Sequence, residues 1–350
     1  MKAISGLSLL FPLLCGCVNV APPARTAPAG VAARRTEQEI RRAPRPLIVE
    51  VALLPEPGHA VPREAPARRR EYIEEIKTCA QIGAAIVRLQ PIAAESSTDE
   101  YRFDRSVNNY RALLRDILAV APDIIIDCDL GGAGEEVEEW VRCNKRIEFD
   151  STREESNPVT VAVGEPALGI MREAVSGGGH LRLGLHDSSA WPYRGAPTNL
   201  DYLRQAVSMA RAAQRPLATP AEARRILALP PLATIYAVPS SARVTRGSAF
   251  FLDAIVGPIA GPFKAYVVIV TPSGKKLSLV KRGKLVPGIL PFTSRRRGLE
   301  GVFCETLTEI VIKAGVLPGI YGIHLAIFPP HEQPLPRRAR VMAMAEVNVR

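Results

Sequence analysis

The sequence predicts two fold types in series, an α/β part on a parallel sheet and then an all-β part. Three observations predict this. Between residues 47 and 229, short strands that are apolar throughout alternate with amphipathic helical stretches, the pattern of a parallel sheet covered on both faces. Pro230-Pro231 ends that alternation. Beyond it, brief β-branched runs are separated by Gly and Pro turn signals as far as the C-terminus.

In the α/β part, Leu47–Leu53 reads as the first strand. A helix is predicted over Arg68–Ile82, because Tyr72, Ile73, Ile76 and Ala80 share one face. Ala84–Leu89 is the next strand, and Val107–Val120 the next helix, grouping Tyr110, Leu113, Leu114 and Ile117. Asp123–Cys128 is a buried strand ended by Gly131-Gly132, and Glu135–Arg142 a short helix. After a polar stretch come strand Val159–Val163, helix Ala167–Val175, strand His180–Leu185 and helix Asn199–Ala213. The last helix, Pro220–Leu229, opens on Thr219-Pro220-Ala221-Glu222, a capping box with Pro at the first helical position. Five such strands make an open sheet or an incomplete barrel, and either places ligands at the C-terminal strand ends.

In the tail the predicted strands are Ile235–Val238, Ala249–Ile255, Ala265–Thr271, Lys276–Val280, Glu309–Lys313, Ile320–Phe328 and Arg340–Val349. Pro272-Ser273-Gly274-Lys275 reads as a hairpin turn, and Leu317-Pro318-Gly319-Ile320-Tyr321 as a turn into a strand. Seven or so antiparallel strands predict an immunoglobulin-like sandwich. The Leu-Pro-Gly-x-Tyr turn also resembles C-terminal adhesion-type sandwiches of bacterial envelope proteins.

The N-terminus reads as an address. Met1-Lys2-Ala3 is a short positive start, and Ile4–Leu14 is an apolar run of signal-peptide length, too short to span a bilayer. Leu14-Cys15-Gly16-Cys17 resembles the bacterial lipobox, which implies removal of residues 1–16 and lipidation of Cys17; the plain alternative is a buried N-terminal helix with incidental cysteines. Residues 18–46 are an Ala/Pro/Arg tether with no apolar periodicity. The organisation expected is therefore a signal and lipobox over 1–17, a tether over 18–46, the α/β part over 47–230 and the sandwich over 231–350. The expected location is the bacterial cell envelope, membrane-anchored through Cys17. There Cys79, Cys128, Cys143 and Cys304 would meet an oxidising compartment, with no pairing readable.

Composition excludes several classes. The 350-residue chain is 47% hydrophobic and 23% charged, which argues against wholesale disorder, and six cysteines do not make a disulfide scaffold. Residues 231–350 hold sixteen Lys/Arg against six Asp/Glu, and residues 1–46 seven against two, around an acidic centre. Aromatics are only 5%, so nucleic acid is not expected as a partner. Anionic lipid, an envelope glycan or an envelope protein fits the basic flanks better, with simple solubility as the plain alternative. Lys281-Arg282, Arg295-Arg296-Arg297 and Arg337-Arg338 fall in predicted loops, as contacts for such partners or as solvated tips.

Residues 178–187, Gly-Gly-His-Leu-Arg-Leu-Gly-Leu-His-Asp, followed by Ala218-Thr219-Pro220-Ala221-Glu222-Ala223-Arg224, resemble the last strand and C-terminal helix of the β-keto acid cleavage enzymes. These are zinc-dependent (β/α)8 barrels typified by 3-keto-5-aminohexanoate cleavage enzyme. Ala84–Gln90 resembles their second strand, Gly131-Gly132 the end of their third, and residues 159–165 their seventh. The resemblance covers roughly residues 47–229 and implies a shortened TIM-like barrel lacking about three strands. That shortfall would be met by a different closure, an open sheet or pairing with another chain. The family holds zinc with a His-x-His pair and a Glu, and the matching positions here are Arg88, Gln90 and His186. Arg is permanently cationic and Gln a weak ligand, so zinc is expected only if activity survives through altered ligands. The family's substrate-binding Thr matches Leu130, its last-strand Arg and Asp match Arg182 and Asp187, and a Glu after its first strand aligns with Glu56. The implied reading is a degenerate barrel used in binding or assembly, with Arg88, Gln90, Arg182 and Glu56 as ligand-binding candidates and no cofactor. The alternative is a surviving acyl-transferring lyase acting on a β-keto acid and acetyl-CoA, or a new reaction at His186 and Asp187.

His180, Arg182 and His186 share strand parity and could face one side with Asp187, as an acid–base pair or with Glu165 as half of a metal site. The plain alternative is that His180 is a satisfied packing residue and the rest a leftover polar cluster. Ser188-Ser189 beside them lacks a Gly-x-Ser-x-Gly elbow, which argues against a hydrolase. Gly131-Gly132-Ala133-Gly134 could seat an anion on a helix N-terminus or simply make a tight βα turn.

Overall fold

The computed structural model describes residues 45–54, 66, 68–94, 102–150, 160–161, 167–186, 198–280, 283–335 and 338–350. The lipobox with Cys17, the tether up to residue 44, Glu56, Glu165, Asp187, Ser188-Ser189, Lys281-Arg282 and Arg337 lie outside the described residues. All described residues belong to one compact unit. Among them no helix is long and apolar enough to cross a membrane.

The α/β part holds strands β1 (Val49–Val51), β2 (Ile86–Leu89), β3 (Ile125–Cys128), β4 (Phe149–Asp150), β5 (Thr160–Val161) and β6 (Leu181–Leu183). Its helices are α1 (Arg69–Ile82), α2 (Val107–Val120), α3 (Glu135–Cys143), α4 (Ala167–Ser176), α5 (Asn199–Ala212) and α6 (Pro220–Ile226). The strands form one all-parallel sheet in the order β4-β3-β2-β1-β6-β5. The sequence predicted five strands; the sixth is β4. Its signal is hidden in a polar stretch, and it is held by neighbours: Glu148 N donates to Ile126 O at 3.0 Å, and Ile126 N donates to Glu148 Oε2 at 2.9 Å.

Strand alternation sorts the side chains onto two faces. Val49, Val51, Val87, Leu89, Ile126 and Cys128 join the core that contains Tyr72 and Ile76 of α1, Leu113 and Ile117 of α2 and Trp140 of α3. On the other face, Ile48, Ile86 and Ile125 lie under Ala218, Ala223 and Ile226, so α6 covers the N-terminal halves of the strands. Its predicted capping box is present: Thr219 N donates to Glu222 Oε2 at 2.9 Å and Glu222 N to Thr219 Oγ1 at 3.2 Å. One residue pair further along the strands, the same face changes character. Glu50, Arg88, Asp127 and Arg182 occupy it, and the first three are buried.

The all-β part consists of β7 (Ile235–Pro239), β8 (Arg243–Val244), β9 (Ala249–Val256), β10 (Phe263–Val270), β11 (Lys276–Val280), β12 (Lys284–Pro287), β13 (Thr293–Arg295), β14 (Phe303–Val311), β15 (Gly319–Phe328) and β16 (Val341–Val349). They form one sheet in the order β12-β11-β10-β15-β16-β8, with β13 also on β10, and a second in the order β14-β9-β7. Strands β8, β12 and β13 were not predicted: they are short, carry Arg243, Lys284 and Arg295, and show no apolar alternation to read. Pairing is antiparallel except between β8 and β16. The Pro272–Lys275 hairpin forms as expected, with Gly274 at φ +78° and Gly274 N donating to Thr271 O at 2.8 Å.

The three-stranded sheet packs on both faces along β7 and β9, with β14 as its more exposed edge. Phe250, Leu252 and Ala254 share a core with Val267, Leu325 and Val347 of the larger sheet. Tyr236, Val238, Ile255 and Cys304 point the other way, into the α/β core. Arg111 of α2 crosses this second face, its Nε donating to Asp253 Oδ2 at 2.6 Å and its Nη2 bonding Asp253 Oδ1 and Thr306 Oγ1. The two parts are thus joined by apolar packing and a bidentate ion pair.

Candidate functional site

The C-terminal strand ends bring together two of the residues singled out in the sequence. Gln90 follows β2 and His186 follows β6, with Leu54 after β1 between them. Leu54 N donates to Gln90 Oε1 at 2.8 Å, Gln90 Nε2 donates to Leu54 O at 2.7 Å, and His186 Nδ1 lies 3.0 Å from both Gln90 Nε2 and Leu54 O. Its tautomer decides which of the two it engages. Gln90 is 1% exposed, and its backbone N–H donates to the Tyr72 hydroxyl at 3.0 Å, which in turn donates to Arg88 O at 2.8 Å. The Gln90 amide is therefore a clasp holding the ends of β1, β2 and β6.

Gly184 makes this approach feasible. At φ +131° it lies so close to Ala52 O that a β-carbon would collide with that carbonyl. Next to it, Asn199 at the start of α5 accepts from Leu185 N at 2.8 Å and donates to Leu53 O at 3.1 Å and to Glu75 Oε1 at 3.0 Å.

Below the clasp lies the charged layer. Arg88, 7% exposed, has its Nη2 3.5 Å from Asp129 Oδ1 and stands beside Asp127 on the neighbouring strand. The Asp127 carboxyl hydrogen-bonds that of Glu50 and feels Arg88 and Arg182. Burial pushes the Asp127 carboxyl above the usual range, against the pull of Arg88, the Glu50 hydrogen bond and Arg182. Two arginines thus face three carboxyls, two of which share a hydrogen bond. The layer comes close to neutrality with one of them protonated.

The zinc implied by the resemblance does not fit these residues. Arg88 brings a fixed positive charge already directed at carboxylates, and the Gln90 oxygen is committed to a backbone amide. Among the described residues, no group of three or more His, Cys, Asp or Glu side chains is placed to hold a metal ion.

The other sequence candidates separate. His180 lies at the opposite end of β6 from His186: its Nδ1 accepts from Ile48 N at 3.1 Å, and burial together with Arg215 and Arg45 lowers its pKa. It is a neutral packing residue, not a partner of His186. Leu130 is buried, and Gly131-Gly132 forms a tight turn closed by Gly131 N to Asp129 Oδ1 at 3.0 Å and Ala133 N to Leu130 O at 2.9 Å. Among the described residues no disulfide joins Cys79, Cys128, Cys143 and Cys304. The sequence reading passed over Glu50, Asp127, Glu75 and Asn199. A signal was present for the first two: single charged residues inside strands that are otherwise apolar.

Glu75 carries a pH prediction. Burial raises its pKa to about 7, with the Asn199 hydrogen bond opposing. An acid whose folded pKa is raised favours folding below its unfolded pKa, near 4.5, and loses that advantage as pH climbs through about 7. Glu75→Gln keeps an acceptor for Asn199 and removes the ionisation. Relative to wild type it should gain roughly 2–3 kcal/mol at pH 8 over their difference at pH 4.5, read from urea unfolding at both pH values.

Residues 147–229 match the sequence model of the beta-keto acid cleavage enzyme family, a minority of the chain that takes in Arg182 and His186 but neither Arg88 nor Gln90. No curated protein matches. Solved structures similar to parts of the chain include the CARDB domain of a Pyrococcus furiosus protein crystallised with di-metal ions (14% identity, 33% of this chain and 86% of that one, TM-score 0.21). Another is a Niemann-Pick type C2 protein from the Japanese carpenter ant (8% identity, 31% and 79%, TM-score 0.21). A third is a β-glucosidase from Erythrobacter marinus (11% identity, 88% and 47%, TM-score 0.19). At these scores none carries an argument about fold or function.

Proposed function

We propose that this chain is a lipid-anchored envelope protein. On this reading its α/β part is a degenerate barrel of the β-keto acid cleavage type, used in binding or assembly and not in catalysis. The observation that carries the reading is the filled metal position. Arg88 and Gln90 stand where the resemblance places metal-ligating histidines, and both are tied into the protein's own ion pairs and backbone bonds. The sheet order supports the barrel half of the proposal. In a closed eight-stranded barrel the first strand lies between the second and the last, as β1 lies between β2 and β6, so β4-β3-β2-β1-β6-β5 reads as strands 4-3-2-1-8-7 with two missing. That is one fewer missing than the sequence suggested. The lipobox-like Leu14-Cys15-Gly16-Cys17 supports the anchor, the basic residues of 231–350 an anionic lipid or glycan partner, and the Pro230-Pro231 boundary a sandwich module of its own.

The test has two arms. Zinc per chain, measured by elemental analysis on folded, untagged protein, should fall far below one, and no acyl-CoA turnover should accompany a β-keto acid. About one zinc that is lost in His186→Ala would instead establish the altered-ligand lyase. Cells fed radiolabelled palmitate should label wild type and not Cys17→Ala, and an unlabelled wild type removes the anchor.

A further inference from the structure

We propose that the outer face of the larger β-sheet is a membrane-docking surface, seated on a bilayer that carries anionic phospholipid. The proposal deepens the anchored-envelope reading and rests on it, because that reading is what brings the chain to a bilayer. Residues directly opposite each other on paired strands share one face of a sheet. Met342 lies opposite Ala326, Met344 opposite His324 and Asn348 opposite Ile320, and β10 continues this face with Tyr266 and Val268. The other parity of the same strands, with Val267, Leu325 and Val347, packs on Phe250 and Leu252 of the smaller sheet. The outer parity keeps its long apolar side chains in the open: Met342 is 50% exposed, Met344 61% and Ile320 57%.

The loop after β12 extends the same surface. Ser278 stands opposite Val268, so its hydroxyl marks the outer face. It donates to Gly288 O at 2.9 Å and accepts from Leu290 N at 2.8 Å, which holds the exposed Ile289 and Leu290 on the β11 side. Among the described residues, every exposed large hydrophobic side chain falls between Leu285 and Met344. Apolar exposure gathered in this way marks a contact surface.

Charge selects the occupant. Register places Arg243, Lys264, Lys276 and Lys284 on the outer parity, and Glu346 is the one carboxylate among the described strand residues there. The cationic surplus of residues 231–350 adds to this from a distance. Anionic headgroups match cations set around an apolar centre, and long basic side chains reach such headgroups while their stems stay on apolar surface. The aromatic residues of the face, Tyr266 and Phe328, are buried edge to face, so neither offers an open ring plane to a sugar.

The test uses the full chain as Cys17→Ala, so that no acyl group contributes, with a fluorescent reporter added as Met344→Trp. Vesicles with brominated acyl chains quench a Trp that reaches the acyl boundary. With equal parts of phosphatidylglycerol and phosphatidylcholine, the added Trp should shift to the blue and be quenched. Phosphatidylcholine alone should leave it unchanged, as should Gln81→Trp on the exposed side of α1 with either vesicle. Adding Lys264→Glu and Lys276→Glu should raise the lipid needed for half-maximal quenching about tenfold or more. If circular dichroism shows that Met344→Trp does not fold, Ile320→Trp takes its place. Unquenched Trp on a chain that sediments with the vesicles overturns the docking face and leaves the anchor standing. Quenched Trp in a protein whose wild type takes no palmitate supports the face and removes the anchor. Equal quenching by both vesicles, or a shift with polyglutamate alone, overturns the proposal, the latter in favour of an acidic polypeptide.

Discussion

Glu148→Gln should destabilise the protein by about 3–5 kcal/mol, among the largest single effects expected in the α/β part. The Glu148 side chain is 3% exposed and binds two arginines at once: Arg146 Nη1 at 3.0 Å and Arg224 Nη2. It also accepts from Ile126 N at 2.9 Å. Arg146 reaches further, donating to Pro122 O at 3.0 Å and to Ile124 O at 2.6 Å. Burial already pulls the Arg146 pKa down, with Glu148 the main opposing influence. The variant leaves two guanidinium groups in a dry site with no carboxylate, and each keeps the cost of its lost hydration. Because this cluster ties the loop before β4 to β3 and to α6, denaturant curves should show a lower midpoint and native-state proteolysis should begin near residues 144–150. A loss under about 1 kcal/mol would mean that the three groups are solvated, and that β4 is held by its backbone bonds alone.

How much of this was legible follows from what each kind of residue broadcasts. Apolar runs such as Leu47–Leu53, Ile124–Cys128 and Ala249–Ile255 announce burial through composition, so the main strands of both parts could be read directly. The Thr219–Glu222 capping box and the Pro272–Lys275 turn were equally plain, because their chemistry is local. Strand β4 was not plain. It is two residues long, and what fixes it is Glu148 meeting Arg224, 76 positions away. The same holds for β8 and β13, which exist because Asn348 and Phe263 pair with them across the sheet. In the site, residue types alone showed that Arg88 and Gln90 are poor zinc ligands. That Gln90 clasps Leu54 depends on strand ends meeting, which sequence spacing does not encode. Glu50 and Asp127 were passed over for a different reason: each is a single charge inside a strand whose signal is apolar. Taken with the parity of Arg88, they mark one buried face.

Arg88→Met should cost about 3–5 kcal/mol at pH 8 and much less near pH 5. Arg88 is the buried cation next to Asp127 and Asp129, and its removal leaves them facing Glu50 with Arg182 alone. The sign of the pH dependence follows from Asp127. Its folded pKa is already raised by burial and held back by Arg88, so loss of the guanidinium raises it further. The folded variant then holds a proton that the unfolded chain releases above about pH 4, and its stability falls as pH rises through the interval between the two pKa values. Urea unfolding of both proteins at pH 5 and pH 8 measures the gap directly. The result also separates two roles for this residue. An arginine kept for an absent carboxylate ligand is commonly neutral or costly to the empty protein, so its removal should leave stability unchanged or improved. An arginine that balances the protein's own carboxylates should leave a deficit that acid repairs. The second outcome would identify the Arg88 position as part of the folded core, and would move the search for a binding partner away from the strand ends and onto the outer surfaces of the protein.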